Sequence, residues 1–203
     1  MSVEFCNRVG KRYFLKEGKT KTGKPRYFFS SNQKGKGEAV SSIPEGYEIY
    51  EHPENAQAFL RKIQARLITD LEEQYVKKLL DSLNNKKRYL VDCKSRTLTI
   101  YESNTDSESL KGLFGGLLEN HPMRPGISTG DMAPTLTQIT DQHYTAILRF
   151  TLEDKERRKF TAERFCFRGS IDDWIYLSGP DYFRDIVKKH ASTLGKDEFF
   201  EQY

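Results

Sequence analysis

The chain has 203 residues, of which 36% are hydrophobic, 12% aromatic and 31% charged, with a formal net charge of +4. That length suffices for one or two domains with a real core, and the aromatic content argues against disorder. No stretch approaches the roughly 18 apolar residues of a membrane span, and the first six residues lack a secretion signal's apolar region, so a cytoplasmic protein with no membrane partner is expected.

Residues 1–37 form the most basic part of the chain. They hold ten Lys/Arg against Glu4 and Glu17, a local charge of +8, which leaves −4 for the remainder. Within them, Tyr13–Leu15 and Arg26–Ser31 read as strands, and the aromatic run at 27–29 has no helical period. Gly18, Gly23 and Lys24 nearly complete a phosphate-binding loop. Pro25 stands where that loop needs a Ser/Thr hydroxyl, and a strand follows where a helix is required. A basic hairpin loop is the better reading. Residues 32–37 are a turn by composition, Ala39–Ile43 a third strand, and Tyr47–Tyr50 a fourth.

A long helix is expected next, over 53–84. About 28 residues run without Gly or Pro, and Ala56, Phe59, Leu60, Ile63, Leu67, Leu71, Tyr75, Leu79 and Leu83 recur at helical spacing. Tyr89–Cys93 and Thr97–Tyr101 alternate as a hairpin about Lys94-Ser95. A helix follows from Thr105, which forms a capping box with Glu108. Residues 120–136 are a Pro/Gly-rich loop. Tyr144–Leu152 alternates as a strand, and Lys159–Phe167 returns beside it. The apolar pattern there slips from Phe160/Ala162 to Phe165/Phe167, which predicts a bulge near Glu163-Arg164. Trp174–Leu177 adds a short strand, and residues 180–194 a final helix stopped by Gly195.

The expected fold class is α+β: a small basic aromatic β unit at 1–52, then an α+β domain at 53–203. The long helix opens that second domain, with ββα and ββ(β)α layers after it.

Chemistry is sparsely signalled. Cys6, Cys93 and Cys166 are an odd count without a C-x-x-C pair, which suggests reduced thiols. The four histidines form no close pair, so no zinc and no other cofactor is expected. An acid followed two residues later by Lys, one element of metal-dependent nucleases, occurs at Glu17, Asp92 and Glu153, about as often as chance gives. Asp172 and Asp173 beside Arg168 read first as a salt-bridged loop and only secondarily as a metal or acid–base pair, and no catalytic residue is assigned.

The best functional candidate is the N-terminal unit. Lys and Arg interleaved with rings suit nucleic acid, since cations neutralise phosphates and rings stack bases. Lys19, Lys21, Lys24 and Arg26 are expected to hold phosphates, with Tyr27 or Phe28 stacking a base. The expected function is therefore non-catalytic nucleic-acid binding. One alternative is a protein-interaction module, self-associating through the long helix or docking a partner through residues 199–203. A metal-dependent hydrolase using Asp172/Asp173 or Asp92 is the lesser one.

Overall fold

A computed structural model describes residues 2–83, 89–104, 143–166 and 172–201. The chain forms two compact units, one built on residues 1–63 and the other on 64–103 with 144–203. The structure is a mixed α+β one, dominated by antiparallel strands. The helix expected from Thr105 and the loop expected at 120–136 lie outside the described residues.

In the first unit, β2 (Arg12–Lys19) is central. β3 (Pro25–Ser30) pairs with it along one edge, from Phe14↔Ser30 to Lys19↔Pro25. β1 (Glu4–Cys6) and β4 (Glu38–Ala39) share the other edge in succession. β5 (Tyr47–Glu51) and β6 (Ala58–Lys62) form a separate hairpin. Side chains at paired positions share a face. Tyr13 and Leu15 are buried on one face, where Phe29 packs edge-on to Tyr13 with ring centres 6.4 Å apart. Asn7 ties the β1–β2 turn to the loop before β6, its Nδ2 donating to the Ala56 carbonyl at 2.7 Å.

The strand β6 corrects the long helix. Residues 58–62, expected to be helical, pair with β5, and Ala56 sits at φ 55, where a right-handed helix cannot continue. The local preference of Gln-Ala-Phe-Leu-Arg-Lys for helix is overridden by cross-strand partners. Arg61 lies 3.8 Å from the centre of the Tyr50 ring and bonds Glu48 at 2.7 Å. The helix that does form, α1, covers Asp70–Ser82 only. Thr69 caps it in a reciprocal capping box with Glu72, and Asp70, Glu72 and Glu73 complement its N-terminal dipole.

The second unit is one five-stranded antiparallel sheet. β7 (Tyr89–Lys94), β8 (Thr97–Ser103), β9 (Tyr144–Asp154), β10 (Lys159–Cys166) and β11 (Asp173–Tyr182) lie in chain order across it. β8 pairs with β9, so the two hairpins read as separate layers merge into a single sheet. Helix α2 (Phe183–Ala191) and α1 pack on one face, over Leu98, Ile100, Leu148, Phe150 and Phe160. The buried face of α2 carries Phe183, Ile186, Val187, His190 and Ala191.

A register irregularity does fall beside Glu163, where Ala162 and Glu163 pair with Ser178 and Tyr176, but the extra residue is on the partner strand and not on β10. β10 keeps strict alternation to its end, so Arg164 and Cys166 face the core and Phe165 turns outward onto Trp174, with ring centres 5.2 Å apart. The extra residues sit on β11: Ala162 pairs with Ser178 while Phe160 pairs with Asp181. Buried Arg164 mimics an apolar position, its guanidinium 5.9 Å from the Phe199 ring centre.

Candidate nucleic-acid interface

The loop that resembled a phosphate site is a hairpin turn. The Gly23 amide donates to the Thr20 carbonyl and the Thr20 amide to the Lys24 carbonyl, both at 2.9 Å. The Lys24 amide is held by the Thr20 hydroxyl at 3.1 Å. Three amides of the would-be phosphate loop, those of Thr20, Gly23 and Lys24, are thus spent on closing the turn, and β3 follows instead of a helix. Every residue from Lys19 to Arg26 is exposed.

A second basic element follows from the topology. Lys16 pairs with Phe28 of β3 on one edge of β2 and with Ala39 of β4 on the other. Residues 31–37 must therefore cross one face of β2 to travel from β3 to β4. They cross the face of Lys16 and Phe28. Lys16 is buried, 3% exposed, and its Nζ donates to the carbonyls of Gln33 at 2.9 Å and Gly35 at 2.6 Å. The crossing strap carries Lys34 and Lys36, both exposed.

Each face carries charges of both signs. Arg26, Lys16 and the strap share one with Glu4, which pairs with Phe14. Glu17 and Glu38 are paired across β2 and β4, which puts both carboxylates on the opposite face, that of Lys19 and Tyr27. From Gly18 to Gly37 the chain contains six Lys/Arg and no acid. Among the described residues, none of Lys19, Lys21, Lys24, Arg26, Lys34 or Lys36 makes an ion pair. Turn and strap together form one basic ridge whose six cations make no ion pair among the described residues.

The two rings singled out as base platforms are already engaged. Tyr27 stands edge-on to Tyr47, ring centres 5.9 Å apart. Phe28 packs under the strap, its Cζ 3.0 Å from where a Cβ on Gly37 would lie and its Cε1 3.3 Å from the same point on Gly18. Both are half-buried. The structure thus brings the four cations together at the hairpin end and places the two rings in packing roles. Lys16, Lys34 and Lys36 join the site through the crossing, which residue spacing alone does not disclose.

Other candidates carry less. Arg96, Arg149, Thr151, Thr161, Glu163 and Tyr176 line a shallow groove of about 450 Å³ on the open face of the five-stranded sheet. Two of its charges are paired: Arg149 makes a two-pronged ion pair with Glu163 at 2.6 and 2.8 Å and stacks 4.3 Å over the Trp174 ring, whereas Arg96 and Glu153, which also line it, make no ion pair among the described residues. Asp172 and Asp173 are exposed near the start of β11, while Asp92 is on β7 at the opposite edge of the sheet, so these acids do not converge. Among the described residues no group of three His, Cys, Asp or Glu is placed to hold a metal. His190 is 2% exposed, and its Nε2 lies 2.6 Å from the Ser178 hydroxyl, joining α2 to β11.

Self-association through the long helix loses its basis. The expected stripe is split among β6, a connecting segment and α1, with Val76 and Leu80 turned into the core and Leu71 78% exposed. In the C-terminal segment Phe199 is buried and Phe200 is 58% exposed. Among the described residues no helix is long and apolar enough to cross a membrane. Comparison with protein-family models, with curated proteins and with solved structures finds no match.

Proposed function

We propose that this chain is a non-catalytic nucleic-acid-binding protein that grips phosphates with Lys19, Lys21, Lys24 and Arg26 of the β2–β3 hairpin, aided by Lys34 and Lys36 of the strap. One observation carries the reading: twenty consecutive residues, Gly18–Gly37, hold six exposed cations and no acid, folded into one ridge. A cationic cluster with no ion-pair partner among the described residues suits a partner that brings its own negative charge. Three unpaired thiols support a reducing, cytoplasmic setting. Two features favour a backbone-directed mode. The ridge cations are mostly lysines, which meet phosphates as point charges, and the nearby rings are occupied by packing.

Fluorescence anisotropy with labelled DNA and RNA across a salt series tests this. Binding at low salt should weaken with a log–log slope of about 0.7–0.9 per phosphate contact. Replacing Lys19, Lys21 and Lys24 together by Ala should flatten that slope. Absence of binding to any nucleic acid at low salt would remove the proposal.

A further inference from the structure

We infer that the ligand of the basic ridge is B-form duplex DNA, with the end of the β2–β3 hairpin entering the major groove. The inference rests on the proposed function and goes beyond it by naming the form of nucleic acid.

Three observations support it. First, β4 pairs with β2 only at Lys16 and Glu17, so beyond Glu17 the sheet narrows to two strands. That distal part consists of Gly18–Lys19, the turn Thr20–Lys24 and Pro25–Arg26. Two strands roughly 4.8 Å apart, with side chains, make a ribbon about 10 Å across. The B-DNA major groove is about 12 Å wide and 8.5 Å deep and admits such a ribbon. The deep, narrow major groove of A-form RNA does not.

Second, the ribbon end suits a groove lined by phosphates. Its cations lie on both sides of the entering edge: Lys19 belongs to one face, Arg26 to the other, and Lys21 and Lys24 to the turn between them. A ribbon between two phosphate walls meets negative charge on both faces. Thr20 and Thr22 at the tip bond each other at 3.0 Å and add no charge. The acids Glu17 and Glu38 stand back from the distal part, where the third strand begins.

Third, the rings that adjoin the hairpin end are engaged in packing. Recognition of single strands relies on aromatic faces offered to bases. Tyr27 abuts Tyr47, Phe28 lies beneath the strap, and Phe29 packs with Phe5 and Tyr13. The distal ribbon itself contains no aromatic residue. Lys34 and Lys36 on the strap, set back from the tip, are positioned to meet the backbone at the groove's rim.

The test measures the protein against a DNA duplex, one of its strands alone, and an RNA duplex of the same sequence, each fluorescently labelled, compared at one low salt concentration and then followed across a salt series. The DNA duplex should bind about tenfold more tightly than either competitor. Lys21→Ala/Lys24→Ala should reduce the duplex salt slope by about 1.8, with the circular dichroism spectrum unchanged because both side chains are exposed and unpaired. A ligand occupying the DNA major groove should compete; one occupying the minor groove should not. Equal or tighter binding to the single strand or to RNA would overturn the groove inference while leaving nucleic-acid binding intact. No binding to any of the three would overturn both.

Discussion

The Lys16 amine and the Gly35 carbonyl are joined by a 2.6 Å hydrogen bond across the face of the β2–β3 ribbon. A second bond, to Gln33, makes Lys16 a clasp that closes the strap over its own strand. Lys16 is one of ten basic residues in a basic segment, yet its place in the site is structural. Replacing it by Met keeps the apolar stem and removes the donor, leaving two carbonyls without their shared partner. Lys16→Met should lower stability by about 1–3 kcal/mol. It should also speed tryptic cleavage after Lys34 and Lys36. Unchanged urea unfolding with unchanged cleavage would show that the clasp holds nothing.

Gly37 marks the other end of the strap. Its φ is 99°, and a Cβ there would lie 2.9 Å from the Glu17 carbonyl oxygen and 3.0 Å from Phe28 Cζ. The ring can shift by a few tenths of an ångström; a strand carbonyl engaged in the sheet cannot do so freely. Gly37→Ala should cost about 1–3 kcal/mol and displace Lys34 and Lys36 from the ridge. DNA affinity should fall in this variant although no cation has been removed. A variant with wild-type stability and affinity would mean that the strap can rest elsewhere.

Legibility in the sequence varied with the range of the forces. The first hairpin, the β7–β8 hairpin, the β9–β10 return and the final helix were readable because their apolar residues repeat at the period of the element they form. The 53–84 segment was misread because 56, 59, 60 and 63 imitate helical spacing, while the partners that make 58–62 a strand lie at 47–51. A corrective signal existed at Thr69-Asp70-Leu71-Glu72, a capping-box sequence inside the supposed helix, and that is where α1 begins. The strap was not readable at all. Residues 32–37 look like an ordinary turn, and only the pairing of Lys16 with both Phe28 and Ala39 forces them across a face.

Gly179 offers a test confined to the second unit. Its φ is 120°, and a Cβ would stand 2.5 Å from the Phe160 carbonyl oxygen and 2.8 Å from Thr161 Cα, both backbone atoms of β10. It lies within the bulged part of β11, where Phe160 and Ala162 pair with Asp181 and Ser178. Gly179→Ala must separate the two strands locally, at a cost of about 3 kcal/mol or more. Urea unfolding should report that loss. A midpoint within experimental error of wild type would show that β11 reaches its register without this close approach.

Cys93 makes stability depend on pH in the alkaline range. Burial pushes its thiol from 9.0 up to about 12, and the nearby Glu73 carboxylate adds to the rise while Arg66 opposes it. Burial also acts to raise the Glu73 carboxyl, but hydrogen bonds from Lys77 and Arg66 outweigh it and hold that group below its ordinary range. A negative charge therefore stays beside the thiol throughout neutral and alkaline pH. Between about pH 9 and 12 the unfolded chain releases the Cys93 proton while the folded chain keeps it. The unfolded state then binds fewer protons, so stability falls as pH rises through this window and is complete below it. Cys93→Ala should flatten the decline of the urea midpoint above pH 9, even if it lowers the midpoint at pH 7. At neutral pH a thiol reagent should modify exposed Cys6 promptly and partly buried Cys93 more slowly. Equal slopes for wild type and Cys93→Ala, or Cys93 modified as fast as Cys6, would place a reactive thiolate where the fold puts a protonated, partly buried thiol.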